Sequence, residues 1–417
     1  MRRSSLHTSD LESDILKRVR TSSGVSRVEL ARSLGLAPST AGIYVERLIG
    51  EGYLEETDKA ARETGRPPML LNLNPERGEF VGVDFEARNI MAVAVDFSDK
   101  PLRNVRLNIA ESDSVEQITR KLEQAVSKVL PEDPKRLLAI GVGVPGLVDS
   151  TNGVALHYEY IANWRNVPLA HSLRKKFRVP VFLENTTRAM ALAELWFGQG
   201  LGISDFVCIG IRSGIAAGMI LEGRLYCGAQ HDAGELGRWR CPVVSGKPAA
   251  WFASGPQRAD FGPELQEVAS VRAIQRALTR AMASGEKSLL RGSPTPIPIE
   301  DVVRAVQQRD PLALTVIGVV ARCLGWAVSQ LLLLMDSRKV VLAGPLTTLG
   351  ENLLQPLRAA SDSLTPPENA RTAEIVNSTM GDFIGALGAA ALAVHEWKPA
   401  RGSPPGSASR KLRRIKV

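Results

Sequence analysis

The sequence predicts an α/β protein headed by a winged helix-turn-helix, and three observations predict it. The opening residues read as three helices, the last two separated by a tight turn, followed by two short strands across a polar loop. From Phe80 onward, short apolar strands interleave with helices, and glycine-marked strand–turn units begin at Phe80 and again at Phe206, as two similar lobes with mixed sheets require. The stretch Val181–Phe197, VFLENTTRAMALAELWF, reads as a buried strand, a sharp polar turn and a long amphipathic helix. Such a turn presents side chains at the carboxyl end of a strand, where open sheets bind ligands.

Composition bounds the alternatives. The 417 residues leave room for two or three domains, and 44% hydrophobic with 5% aromatic residues is ordinary for a soluble globular chain. No uninterrupted apolar run reaches the roughly 18–20 residues of a membrane span, and Met1–Asp10 is polar, so a cytoplasmic protein without a membrane partner is expected. Cys208, Cys227, Cys241 and Cys323 are widely spaced, without a CxxC pair, which indicates reduced thiols rather than a disulfide framework. The net charge of +8 is uneven. Residues 1–78 carry 12 Lys/Arg against 11 Asp/Glu, residues 79–396 balance at 33 against 33, and residues 397–417 hold 7 against none. The excess lies in the tail, so a nucleic-acid interface has to be argued from motif geometry rather than from pI.

Three domains follow: a head over 1–78, a body over 79–396, and a disordered basic tail over 397–417. In the head, Ser9 or Asp10 starts a helix carrying Ile15, Leu16 and Val19 on one face. Ser26 with Glu29 three residues on is a capping box for a second helix through Val28, Leu30, Ala31 and Leu34. Pro38 suits the first position of a third helix, whose inward stripe is Ala41, Val45 and Leu48 and which stops near Gly50 and Gly52. Tyr53–Glu56 and Met69–Leu73 are the wing strands; Lys59, Arg62 and Arg66 lie in the loop between them and suit phosphate or minor-groove contact. If the third helix enters a major groove of double-stranded DNA, its outward residues are Ser39, Thr40, Ile43 and Arg47.

In the body, Phe80–Asp84, Met91–Asp96, Leu137–Val144, Phe206–Ile211, Ile215–Leu221 and Lys339–Ala343 read as strands, and Ser114–Val129 as an amphipathic helix. Gly285–Pro298 reads as an exposed loop between helices. Thr186 or Thr187 can cap the helix after Val181–Asn185. A phosphotransferase needs a carboxylate near such a turn to accept the proton of the attacking hydroxyl; threonine does not serve as a base at neutral pH.

The motifs Gly141-Val-Gly-Val-Pro-Gly-Leu-Val-Asp149, Asn163-Trp164, Glu184-Asn185, Ala233-Gly-Glu-Leu-Gly237, Ala343-Gly-Pro345, Gly381-Asp382 and Gly385-Ala-Leu-Gly-Ala-Ala390 stand in this order. In that order they resemble the ROK family of repressors, open reading frames and kinases, over roughly 79–395. The segment ahead of them is similar to that of the family's repressor branch, typified by the xylose and N-acetylglucosamine repressors. The resemblance implies a two-lobed, actin-like ATPase body (ribonuclease H-like) with a sugar cleft, and a homodimer or tetramer.

Measured against the kinases of that family, the catalytic parts are altered. The phosphate-cradling Gly-Gly-Thr-Lys turn corresponds to Phe85-Glu86-Ala87-Arg88-Asn89, where a Glu repels phosphate. The second phosphate loop, Gly-Thr-Gly, is Arg212-Ser213-Gly214, and Arg212 either fills the loop or binds an anion. The proton-accepting Asp falls on Thr186. No catalytic residue and no cofactor are therefore expected. The family's zinc ligands are lost too: Arg238 stands for the His and a lone Cys241 for the cysteine cluster, so no metal is expected. Of the implied sugar contacts, Asn185, Glu235 and Asn163 match, while Arg238 and Ala250 replace a His and a Glu. Arg238 either pairs with the carboxylate or phosphate of an anionic sugar derivative or forms a salt bridge with Glu235. His231 reads as a loop histidine.

The expected protein is a DNA-binding transcriptional regulator, a repressor of sugar-related genes with a catalytically dead body sensing a sugar or sugar derivative. The alternatives are a divergent sugar kinase carrying an accessory DNA-binding segment, and a constitutive DNA binder with a structural body. Arg410–Lys416 in the tail is either solvated or adds non-specific DNA affinity.

Overall fold

A computed structural model describes residues 8–22, 24–58, 69–86, 88–242, 244–253, 262–366 and 373–399. Arg62, Arg66, Lys59 and the basic run Arg410–Lys416 lie outside them. The chain divides into two compact units, and the smaller is not simply the amino-terminal segment. It comprises residues up to Glu79, the turn Val95–Lys100, and the chain from His395 onward.

In this head, α1 (Thr8–Arg20), α2 (Arg27–Ser33) and α3 (Pro38–Gly50) precede an antiparallel pair, β1 (Leu54–Asp58) and β2 (Met69–Leu73). Ser26 and Glu29 form the reciprocal capping box that starts α2, and Pro38 opens α3. Ala41, Val45 and Leu48 are buried with Ile15, Leu16 and Leu30. Val28, one of the residues read along α2, is 60% exposed.

The borrowed segments complete the head with an aromatic cluster. The Tyr53 ring packs 5.6 Å from Phe97 and 5.7 Å from Trp397. Arg77 stacks over Tyr53 at 4.1 Å, and Arg20 donates to the Phe97 carbonyl and pairs with Asp99 at 2.8 Å. The head thus takes in residues beyond the expected span 1–78: Trp397, assigned by sequence to a disordered tail, packs against Tyr53 and Phe97. We expect Trp397→Ala to lower the stability of the head by about 1–3 kcal/mol, less than a fully buried Trp would cost because the ring is half-buried. Hydrogen exchange of α1 and β1 amides measures it; unchanged protection there would refute the assignment.

Two titrating groups in this cluster oppose one another. Burial, against the pull of Arg20, pushes Asp99 up to about 6. A raised carboxylate pKa means the folded head gains stability as pH falls from about 6 towards 4. Burial, aided by Lys17 and Arg20, pushes His395 down to about 4. A lowered histidine pKa means stability is lost as pH falls from about 6.5 to 4. We expect the two to offset in the full chain. Asp99→Asn, which suits the left-handed backbone there (φ 72°), should leave a head that loosens on acidification, and His395→Gln one that tightens. Parallel hydrogen-exchange series across this pH range, if they show the same trend for both variants, would refute the expectation.

The larger unit carries two five-stranded sheets. β3 (Glu79–Phe85), β4 (Asn89–Asp96) and β5 (Pro101–Asn108) are followed by α4 (Val115–Lys128) and β6 (Leu137–Val144). A small antiparallel sheet comes next, β7 (Leu147–Asp149), β8 (Val154–His157) and β9 (Arg165–Val167). Then α5 (Leu169–Phe177) leads to β10 (Val181–Asn185), which runs directly into α6 (Thr186–Phe197). The first sheet has the order β10-β6-β3-β4-β5, with β10 parallel to β6. The second is built from β11 (Phe206–Ile211), β12 (Ile215–Leu221), β13 (Arg224–Tyr226), β14 (Lys339–Ala343) and β15 (Glu374–Asn377), in the order β13-β12-β11-β14-β15. A mixed sheet repeated in this way is the two-lobed body that the strand pattern predicts.

Several local expectations need correction. Asn185, not a threonine, caps α6, its Oδ1 accepting from the Thr187 and Arg188 amides. Helix α6 is not amphipathic, since Thr186–Glu194 are all buried, Arg188 and Glu194 included. The segment Gly285–Pro298 lies between helices as expected but is not simply exposed: Leu290 and Ile297 are core residues. One helix among the described residues, Pro311–Met335, has the length and hydropathy of a membrane span, but 72% of its apolar stretch is buried against the second sheet's core.

The final helix, Ile384–Glu396, packs by glycines. A Cβ on Gly141 of β6 would overlap the Ala389 carbonyl, and one on Gly388 would overlap the Ala189 carbonyl of α6. Backbone therefore meets backbone on two sides of this helix, which fixes β6 and α6 in place and with them the turn that carries Asn185.

Candidate ligand pocket and nucleic-acid interface

The body contains a narrow cavity of about 120 Å³ at the carboxyl ends of β6, β10 and β11. That is the end where strands of an open sheet expose backbone and side chains to a ligand. Asn185, Glu235 and Arg238 line it, so three of the four expected ligand residues are brought together. Asn163 is not among its lining residues; it lies exposed in a left-handed turn (φ 60°) beside the buried Trp164. Tyr158 and Tyr160, a few residues earlier, occupy the wall instead, their rings edge to face at 5.3 Å.

Asn185 is positioned twice over. Its Oδ1 caps α6, while its Nδ2 donates to the Gly146 carbonyl at 3.0 Å. Beneath it, Glu184 and Arg188 form a buried pair at 2.7 Å, and Arg188 also reaches the Ala233 carbonyl, tying α6 to the loop that carries Glu235. Arg188 was not singled out in the sequence. Its signal was the i,i+4 spacing from Glu184 in an otherwise apolar run, a charge that burial permits only with a partner. Burial raises the Glu235 carboxyl above its ordinary range, against the pull of Arg238 and Arg188. Arg238 faces Glu235 at 3.6 Å, the second of the two arrangements weighed from sequence, and its side chain is 63% exposed. A single loose pair of this kind contributes little to stability.

Deeper in the cleft, the Thr186 hydroxyl donates to Asp84 Oδ1 at 2.8 Å. At the position where the resemblance implies a proton acceptor, the chain places a hydroxyl already committed as a donor. Arg212 Nη1 donates to Asp84 Oδ2 at 2.5 Å, and its Nε lies 3.9 Å from Glu86. Burial alone would lower the Arg212 pKa; Asp84 and Glu86 outweigh it, and the shift is upward. Burial raises the pKa of Glu86, with Arg212 pulling the other way.

Cys208, Cys241 and Cys323 are buried free thiols, and Cys227 is half-buried beside Glu184. Cys241 packs with Cys323 in the core rather than among other ligand types.

In the head, α3 presents Ser39 and Ile43 outward, the latter 54% exposed, with Thr40 half-buried. Arg47 departs from expectation. It turns inward, pairing with the buried Glu12 at 2.7 Å and lying over Tyr44, because a buried carboxylate on α1 requires a cation. The outward face of α3 is therefore Ser39, Thr40 and Ile43 without Arg47.

A xylose repressor of Caldicellulosiruptor bescii is 27% identical over 350 residues, covering 82% of this chain and 85% of that protein. A glucokinase of Thermotoga maritima is 30% identical over 317 residues, covering 75% of this chain and 96% of the enzyme. The crystal structure of a ROK family transcriptional regulator, a homologue of the Escherichia coli MLC protein, superposes with a TM-score of 0.75 at 24% identity. It covers 93% of this chain and 96% of that one, a likeness of fold. Residues 80–396, the span of both sheets and the cavity between them, match the family model itself, and the chain belongs to the ROK family.

Proposed function

We propose that this chain is a DNA-binding transcriptional repressor of sugar-related genes, whose ROK body senses a sugar or sugar derivative without phosphorylating it. The observation that carries the reading is the committed hydroxyl of Thr186, donating to Asp84 where a kinase needs a base, in a chain whose head carries a three-helix unit with a β-wing. Loss of a general base removes about two to four orders of magnitude of rate, and a guanidinium standing in the phosphate loop removes the cradle as well. Asn185 and Glu235 remain in the cavity to bind hydroxyls. The similarity to a named xylose repressor supports the regulatory reading.

As a homodimer or tetramer, the protein would present paired heads to half-sites about 34–36 Å apart, or a multiple of that spacing. A sugar acts by binding one conformation of the body better than another, shifting the population able to hold both half-sites.

The second reading, a sugar kinase with an accessory head, draws on the 30% identity to a glucokinase. One pair of measurements separates them. The full chain should retard DNA from its own upstream region, with an affinity that changes at least about tenfold when xylose, glucose or N-acetylglucosamine, or their phosphates, are titrated. A coupled assay with MgATP and the same sugars should show no turnover. Sugar-dependent ADP release would overturn the proposal. Replacing Ile43 and Ser39 together by Ala should weaken operator binding by about 5–150-fold while leaving non-specific binding unchanged, as loss of base contacts does.

A further inference from the structure

The cleft holds a second cavity, of about 360 Å³, on the far side of the ligand pocket. Glu86 and Arg212 are the residues that line both, so together they form the partition between the two. Arg212 is 8% exposed and held at its main chain, its amide donating to the Gly214 carbonyl and its carbonyl accepting from the Val271 amide. Asp84, on β3 of the first sheet, is fully buried, and both of its oxygens are used, by Thr186 and by Arg212. Gly143 and Gly385 wall it so closely that a Cβ on either would press on its carboxylate.

We propose that Arg212 is a built-in counter-ion that closes Asp84 to a divalent metal ion and ties the two sheets together through Asp84 and Glu86. The grounds are charge and access. In the kinase pattern that this sequence resembles, position 186 is an Asp and position 212 a glycine. Here Thr186 removes one negative charge and Arg212 adds one positive charge. Both replacements act on the same carboxylate, Asp84, while Glu86, standing in the cradle, returns one negative charge that Arg212 faces at 3.9 Å. A carboxylate with a donor on each oxygen and its flanks closed by backbone offers no open approach to an octahedral ion that keeps most of its waters. The Asp84 charge is thereby balanced from within, and the bond spans β3 of one sheet and the end of β11 of the other. A body wired in this way holds its lobes together with no bound nucleotide or metal, and Thr186, which lines the ligand pocket, connects that pocket to the same carboxylate.

This extends the non-catalytic reading of the body. Its test contains no DNA, so failure here leaves the repressor reading standing, and loss of that reading leaves this one intact. Mn²⁺ is titrated into the full-length chain and followed by electron paramagnetic resonance and by melting temperature, for the wild type, Arg212→Gly, Arg212→Lys and the pair Thr186→Asp with Arg212→Gly. In metal-free buffer Arg212→Gly should melt about 5–10 °C below the wild type, because buried Asp84 and half-buried Glu86 lose their cation. Arg212→Lys should recover at least half of that loss. The double variant should bind one more Mn²⁺ per chain than the wild type, and its melting temperature should rise on binding. Equal Mn²⁺ stoichiometry in wild type and double variant, or an Arg212→Gly chain that melts with the wild type, overturns the proposal.

Discussion

Gly141→Ala should abolish the folded body. The added methyl group would occupy the space of the Ala389 carbonyl, and neither β6, flanked on both sides by β10 and β3, nor the buried final helix has a free direction in which to move. Close-packed interiors resist even one extra carbon, and here the obstacle is backbone rather than a side chain that can change rotamer. We expect a loss of more than about 3 kcal/mol, seen as aggregation on expression or as a denaturant midpoint shifted well below the wild type. Gly223→Ala is the control for glycine replacement as such: it has a positive φ of 71° but open space around its Cβ, so it should cost only about 1 kcal/mol. Equal midpoints for the two variants would refute the backbone-contact account.

Arg188→Met should be the most damaging change among the side chains around the ligand pocket. It leaves Glu184, 6% exposed, as a buried carboxylate without its cation, at a cost of about 3–5 kcal/mol. The same change releases the Ala233 carbonyl, so the loop carrying Glu235 loses its tie to α6. Pairing it with Glu184→Gln should restore at least half of the lost stability, because the amide needs no counter-charge. Urea denaturation of the four chains of this cycle measures the coupling. Additive losses would show that Arg188 and Glu184 are held by other partners.

The sequence exposed some of this and hid some of it, for physical reasons. The head was legible where signals are local: Ser26 with Glu29 at capping-box spacing, Pro38 at a first turn, and Ala41, Val45 and Leu48 at helical period. The strands of the body were legible where continuous apolar runs announced burial on both faces, as in β3, β6 and β11. Strand β5 was missed because its outer side is exposed and half its residues are polar, which reads as loop. The three-residue strands β7 and β9 are too short to carry any period.

In the pocket, residues on one motif were found together, but partnerships across the chain were not. Arg212 was weighed as a phosphate ligand or a plug. Its actual partner, Asp84, lies 128 residues away, and no spacing rule reaches that far. Arg47 shows the same limit. Its position on the outer face of a helix suggested DNA, yet Glu12 on another helix claims it. Trp397 is the extreme case, a side chain beyond the last helix that packs on Tyr53.

That last contact bears on how such a protein can be re-engineered or shuffled in evolution. A head assembled from the start of the chain, a hairpin turn near residue 97 and the residue just past the last helix is not a cassette that can be cut out at one point and grafted onto another sensor. A fusion severed after residue 78 would carry an aromatic socket with neither of its plugs. A working chimera has to exchange the interior of the body instead, keeping both insertions in register with the head they complete.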